Sequence, residues 1–151
     1  MALKHPQWGA GDVPSYQLSG VPFVTSSNGA EVSTTPVKVQ LPGVSRFLVI
    51  KETEGQDLRV GFSVAGINGT GGVSGSVPTN PAGGESAADR RNYFVVEANT
   101  TSPRLEIRCK ILYFRRDGST DAGFSLIAGI TPIGTSQFPP LTGSSGYDGV
   151  G

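Results

Sequence analysis

The residue types that most often carry out catalysis or bind metals are nearly absent from this chain. It has a single histidine, His5, and a single cysteine, Cys109. His5 lies in a Pro/Gly-rich leader, so a Ser-His-Asp triad or a paired-histidine metal site has just this one candidate. One cysteine forms no intrachain disulfide and builds no cysteine-based zinc site. We therefore expect Cys109 to pack as a small, buried apolar residue.

Carboxylates cluster at two predicted turns. Glu52, Glu54 and Asp57 surround one turn, and Asp117 and Asp121 surround the other. Because calcium binds carboxylate and carbonyl oxygens, each cluster is a candidate for that ion. Charged residues at strand ends are ordinarily solvated, however, and we interpret both clusters in that way. We predict no metal site.

The glycine-rich stretch 66–84 (GINGTGGVSGSVPTNPAGG) has the composition of a phosphate-binding loop. Such a loop is followed by Gly-Lys-Ser/Thr and by a helix whose N-terminus holds the anion. Neither follows here. A loop this long is usually functional, bound to a partner or disordered. We predict that the chain has no catalytic residues, binds no cofactor and is not an enzyme.

Length and composition limit the class of protein further. The chain has 151 residues, and domains most often have about 100–150 residues. Its 12 basic and 12 acidic residues cancel, which argues against direct nucleic-acid binding because phosphate contacts need positive charge. It has neither a signal-peptide region nor a run of about 18 apolar residues, so we expect a soluble intracellular product without a membrane partner. The 22 glycines and 11 prolines disfavour long helices.

Alternation of apolar and polar residues predicts short β-strands along the chain. The predicted strands cover residues 15–25, 36–41, 45–52, 58–64, 92–98, 104–115 and 122–131. Turns are predicted at Asn28-Gly29 and Glu54-Gly55, and a hairpin turn at Asp117-Gly118. These elements predict an all-β fold: an antiparallel, jelly-roll-like β-sandwich of about seven to eight strands.

The unpatterned ends of the chain predict a division into one domain and two arms. The β-sandwich domain is predicted to span 15–131 and to contain the 66–84 loop. An N-terminal arm covers 1–14, and a C-terminal arm covers 132–151. Neither arm has a hydrophobic pattern that would form a core of its own.

Two groups of residues are candidates for contact with a partner. Large aromatic residues and prolines in the arms are natural anchors, because aromatic side chains dominate interface energetics; these are Trp8, Phe138, Pro139, Pro140 and Tyr147. The second group is a charged stripe along the predicted strand 104–115, opposite its apolar face; it comprises Arg104, Glu106, Arg108 and Lys110. Charges of alternating sign on a solvated strand also form cross-strand pairs, so this stripe has two interpretations.

Four strand segments carry a resemblance to a known group of proteins. They are LRVGFS (58–63), NYFVVE (92–97), LEIRCKILYFRR (105–116) and FSLIAGIT (124–131). Together they resemble small β-rich structural proteins of double-stranded DNA viruses: the decoration, cement or minor capsid proteins of tailed phages and related icosahedral viruses. The resemblance covers about residues 15–131 and lies in the strand pattern. The 66–84 loop matches no pattern of that group.

The resemblance implies a structural role in the virion. Such a β-module sits on or between major capsid subunits, often as a trimer, and its terminal arms reach neighbouring proteins. It would be made in the host cytoplasm and located in the capsid. The alternative is a lectin-like or receptor-binding β-sandwich of a viral spike or fibre. That function needs an exposed aromatic platform beside amide or acidic side chains, for which Tyr93 and Asn92 are the candidates.

Overall fold

The computed structural model of the chain describes residues 20–68 and 92–138. Within these residues the fold is almost entirely β-structure. Seven strands are present there: β1 (Val21–Ser26), β2 (Val37–Gln40), β3 (Ser45–Glu52), β4 (Leu58–Gly61), β5 (Tyr93–Val96), β6 (Ile111–Arg116) and β7 (Phe124–Ile130). A short α-helix, α1 (Val64–Asn68), follows β4, and a 3-10 turn, η1 (Thr135–Gln137), follows β7.

The strands form two antiparallel sheets. One sheet has the order β1-β7-β3, and the other has the order β2-β6-β4-β5. The free side of β3 is bridged by the segment before β6, through Leu48 with Leu105 and Lys51 with Thr101.

The pairs are nested along the chain. β1 pairs with β7, β2 with β6, β3 with the bridging segment 101–105, and β4 with β5. A long hairpin folded over on itself produces this order, which is the double Greek key of a jelly roll. The predicted all-β, jelly-roll-like sandwich is confirmed.

The core lies between the two sheets and is built mainly from alternate residues of the strands. Leu126 and Ala128 of β7 point into it from the three-stranded sheet, and Leu112 and Phe114 of β6 point into it from the other sheet. The ring of Phe114 stacks on that of Phe124, with centroids 4.0 Å apart. These contacts bury the apolar face of each sheet, and this burial is the main force that holds such a sandwich together.

The predicted single strand 104–115 is wrong. β6 begins at Ile111, and the chain bends at Lys110. The buried positions change phase there: Cys109 is buried, but the next buried residues are Leu112 and Phe114, while Tyr113 is half-buried. The physical reason is that the chain leaves the edge of the first sheet beside β3 and enters the second sheet. A strand that changes sheets does so through a bend.

Two further expectations about connections also differ from the structure. Asp117-Gly118 does not close a hairpin, because β6 and β7 belong to different sheets and the turn carries the chain between them. The predicted strand 58–64 ends at Gly61. Ser63 then accepts a hydrogen bond from the Gly66 N–H at 2.8 Å and caps the start of α1. The first residues of the predicted 66–84 loop are therefore helical, and 69–84 lie outside the described residues.

Candidate interaction surfaces

Cys109 is a core residue and has no exposed nucleophilic sulfur. Its side chain is fully buried, and its Sγ lies 3.4 Å from Ser45 Oγ. Burial raises the pKa of the thiol, and the hydrogen bond with Ser45 lowers it by a smaller amount. The resulting pKa is about 11. The thiol therefore stays protonated at neutral pH, where nucleophilic chemistry needs the thiolate. The prediction that Cys109 packs as a buried apolar residue is confirmed.

The carboxylate of Glu52 joins two turns. It is fully buried and accepts backbone N–H bonds from Glu54 at 2.6 Å, Gly55 at 2.9 Å and Asn99 at 2.8 Å. Burial raises the pKa of Glu52. The backbone hydrogen bonds of Asn99, Glu54, Gln56 and Gly55 together lower it by a larger amount, so the pKa lies below its ordinary value. Our interpretation of Glu52 as a solvated strand-end charge is wrong. It is a structural acceptor for these amides.

No metal centre emerges from the acidic residues. In the residues 20–68 and 92–138, no group of three or more His, Cys, Asp or Glu side chains is placed to hold a metal ion. Asp117 and Asp121 instead form ion pairs with Arg59 and Arg116. His5 lies outside the described residues.

The charged stripe is divided by the bend at Lys110. Arg104, Glu106 and Arg108 are exposed beside β3, and Arg104 Nε lies 2.6 Å from Glu106 Oε1. The Arg104 guanidinium also lies 4.1 Å from the centre of the Phe47 ring, a cation–π contact. We call Arg104 and Glu106 the rim pair. Lys110 lies at the bend itself, before β6, and is half-buried.

The outer face of the three-stranded sheet carries an apolar row that the sequence analysis missed. Val24, Ile127 and Val49 are register partners across β1, β7 and β3, and we call them the outer row. Val24 is 66% exposed and Ile127 is 42% exposed. The signal was present in the sequence: 45–52 and 122–131 are nearly continuous apolar runs, whereas a strand with one solvated face alternates.

Phe47 extends this face towards the rim pair. It is the partner of Gly129 on the outer side of β3 and β7. A methyl group added to Gly129 would overlap the Phe47 ring, so the absence of a side chain at Gly129 makes room for the ring. The outer row, the Phe47 ring and the rim pair therefore form one continuous surface with an apolar centre and a charged margin.

The beginning of the predicted C-terminal arm packs on the domain itself. Ile133 is fully buried, and its carbonyl accepts the Val44 N–H at 3.1 Å. Lys110 Nζ donates to the carbonyls of Thr135 at 3.2 Å and Phe138 at 2.8 Å. Of the arm anchors, Phe138 is thus held to its own domain through its backbone carbonyl. The other four, Trp8, Pro139, Pro140 and Tyr147, lie outside the described residues.

A surface cleft of about 380 Å³ separates the start of β6 from η1. We call it the β2 cleft, because β2 forms one of its walls. Its lining consists of Lys38, Gln40, Lys110, Ile111, Thr135 and Ser136.

Tyr93 does not present a free aromatic platform. The Arg59 guanidinium lies 4.5 Å from the centre of the Tyr93 ring, and Arg59 is itself ion-paired with Asp117. Asn92 is half-buried, and its side-chain nitrogen has no hydrogen-bond partner in the part of the chain that the structure describes. One face of the candidate glycan platform is therefore occupied by a cation.

Comparison with protein-family models, curated proteins and solved structures finds no match to this chain. Among the described residues, no helix has the length and apolar character needed to cross a bilayer.

Proposed function

We propose that this chain is a virion structural protein, a capsid decoration, cement or minor capsid component that stabilises a shell. It would do so by docking its β-domain and arms on neighbouring subunits. The jelly-roll topology supports the proposal, because viral capsid domains and lectins use this architecture. A fold alone does not determine function, and the proposal therefore depends on a particular surface.

The observation that carries the proposal is the exposed outer row beside the rim pair. Val24 and Ile127 expose much of their side chains to water, and burial of such area contributes about 25 cal/mol per Å². The Arg104 guanidinium lies over the Phe47 ring and is paired with Glu106. A hydrophobic centre with a polar rim is the usual anatomy of a protein–protein interface.

A shell is the partner that suits this surface best. The net charge of zero favours a protein surface over packaged nucleic acid. A shell offers many identical copies of one binding site, so a homo-oligomer, with a trimer favoured, gains avidity from several weak contacts. The arms, with Trp8 and Tyr147, supply further contacts to neighbours in this proposal.

Substitution within the outer row tests the proposal. Ile127→Glu places a charge at the centre of the row, and Val95→Glu is the matched control, because Val95 is 39% exposed on the outer side of the other sheet. Each labelled protein is mixed with shells isolated from cells that produce the proposed virion. The shells are then pelleted, and the protein that pellets with them is measured. We expect loss of co-pelleting for Ile127→Glu alone. Equal binding of both variants and the wild type would overturn the role of the outer row.

Deletion of the arms tests their contribution separately. Residues 1–14 or 139–151 are removed, and 132–138 are kept because Ile133 belongs to the core. We expect the circular dichroism spectrum to stay unchanged and shell binding to weaken. The lectin-like alternative is examined on a glycan array: saturable glycan binding that is lost in Tyr93→Ala would replace the shell proposal.

A further inference from the structure

The β2 cleft presents the positive charges of two lysines. Lys38 and Lys110 both line it, and no carboxylate of residues 20–68 and 92–138 does. Neither lysine forms an ion pair within the described residues, where Arg59, Arg104 and Arg116 form such pairs. The remaining polar lining consists of the Gln40 amide and the hydroxyls of two η1 residues. The cleft therefore offers donors to an anionic group.

One of the two ammonium groups is already held in position. Lys110 Nζ donates to the carbonyls of Thr135 and Phe138. An ammonium has three donors, so one remains for a ligand. Fixing the side chain in advance lowers the entropy that binding costs.

Among the residues that the structure describes, β2 also has an unpaired backbone edge beside this cleft. It pairs with β6 alone among the described strands. The Leu41 N–H donates to the Lys110 carbonyl at 2.9 Å, and the register pairs Val39 with Leu112. Antiparallel partners alternate between hydrogen-bonded and non-hydrogen-bonded pairs. The N–H and C=O groups of Lys38 and Gln40 therefore point away from β6, towards the free edge.

We propose that the β2 edge and the β2 cleft bind an extended, acidic segment of a neighbouring protein. Its backbone pairs with Lys38 and Gln40 as an added strand, a common mode of peptide recognition. An aspartate or glutamate side chain of the segment lies in the cleft and accepts hydrogen bonds from Lys38 and Lys110. The inference depends on this edge alone and goes beyond the proposed function, because it does not require the neighbour to be a shell protein.

A peptide fits this site better than a nucleic acid. The free edge offers the carbonyl oxygens of Lys38 and Gln40 as well as their N–H groups. A peptide backbone complements both, whereas phosphate oxygens would be repelled by the carbonyls. Two lysines in a chain of zero net charge are also few for phosphate-driven affinity.

A titration with synthetic peptides tests the proposal. The probe is a capped nine-residue peptide in which threonine and glutamate alternate, and its partner probe has glutamine in place of every glutamate. Backbone amide resonances of the full chain are followed by NMR. We expect saturable shifts of the Lys38, Gln40 and Lys110 amides with the glutamate peptide. The glutamine peptide should bind about tenfold more weakly.

Three variants separate the charge from the strand edge. Lys38→Glu should weaken binding about tenfold or more, and Lys51→Glu, the same charge change at an exposed position of the other sheet, should not. Gln40→Pro keeps both lysines but removes the outward N–H, and it should abolish the shifts. Proline is tolerated where the N–H faces solvent, so the melting temperature of the Gln40→Pro variant should match that of the wild type.

Three results would overturn the inference: unchanged affinity in Lys38→Glu, equal binding of the two peptides, or tighter binding of oligothymidylate than of the glutamate peptide. Because Lys38→Glu alters an exposed side chain, it decides the matter even if Gln40→Pro fails to fold. The peptide titration involves no shells. Failure of the titration therefore leaves the proposed function untouched, and failure of the shell-binding assay leaves the peptide-binding proposal untouched.

Discussion

The ring of Phe114 in β6 lies flat on the ring of Phe124 in β7, with centroids 4.0 Å apart and planes inclined by 6°. The two strands belong to different sheets, so this stack connects the halves of the sandwich. Phe114 is fully buried and Phe124 nearly so. Both residues belong to the hydrophobic core between the sheets.

Removal of the Phe114 ring should therefore cost much of the stability of the domain. We expect Phe114→Ala to lower the free energy of unfolding by about 3–5 kcal/mol, the range for buried aromatic residues. The matched control is Tyr113→Ala, because the neighbouring Tyr113 is only half-buried, and it should cost about 1 kcal/mol. Urea denaturation of both variants measures the difference. Similar losses in the two would contradict the assignment of Phe114 to the inter-sheet core.

Glu52 should make folding sensitive to acid. The pKa of Glu52 in the folded chain lies below the ordinary value. At a pH between these two pKa values, the unfolded chain therefore binds more protons than the folded chain. The stability that the carboxylate contributes is fully present above about pH 4.3, the ordinary pKa. It is lost as the pH falls through the lower, folded pKa. Urea midpoints measured between neutral and acidic pH should record this loss.

Glu52→Gln should remove most of that acid sensitivity. The amide keeps one acceptor oxygen but turns an NH2 group towards backbone donors, so we expect a loss of about 1–3 kcal/mol at neutral pH. The exposed Glu97 offers a control, and Glu97→Gln should leave both the stability and its pH dependence close to those of the wild type. A wild-type urea midpoint that does not fall on acidification would count against the buried acceptor.

Cys109 should be unreactive while the chain is folded. We expect Ellman's reagent to label it at neutral pH after denaturant is added and not before. Its folded pKa of about 11 exceeds the ordinary value of about 8.5, so the folded state retains the proton longer. The corresponding stability is fully present below about pH 8.5 and is lost as the pH rises towards the folded pKa. Rapid labelling of the native protein would contradict this placement.

Gly129 and Phe47 should be energetically coupled. Gly129→Ala places a methyl group where the Phe47 ring lies, and such overpacking costs about 1–3 kcal/mol. Gly118→Ala is the control, since nothing lies within 4 Å of an added methyl group there. In Phe47→Ala the space is vacant, so Gly129→Ala should then cost much less. Additive losses in this double-mutant cycle would mean that the ring does not cover Gly129.

The sequence predicts strands accurately where charged residues or turn-forming glycines mark their ends. The predicted strand 45–52 coincides with β3, because an apolar run there is bounded by charged residues. The turns at Asn28-Gly29 and Glu54-Gly55 are present, with a left-handed φ of 72° at both Gly29 and Gly55. Glycine adopts this conformation without steric cost.

The sequence does not show which sheet a strand joins. Alternation runs from 104 to 110, and residues 111–114 are then all apolar, so the sequence does not mark the change of buried face at Lys110. The outer row was missed because its residues resemble core residues in type. Glu52 was misinterpreted because its burial depends on the second turn, where its partner Asn99 lies 47 residues away along the chain. Each of these features depends on contacts between segments that are distant along the chain, and the local order of polar and apolar residues does not predict such contacts.

Sedimentation of the native chain tests the central claim most directly. Lysate of cells that produce the particle is separated on a density gradient, and the chain and the major shell protein are quantified in each fraction. A virion structural protein is expected in the particle fractions, at a constant ratio to the shell protein after repeated banding. A chain that stays at the top of the gradient with the free proteins, while intact shells sediment without it, would contradict the account.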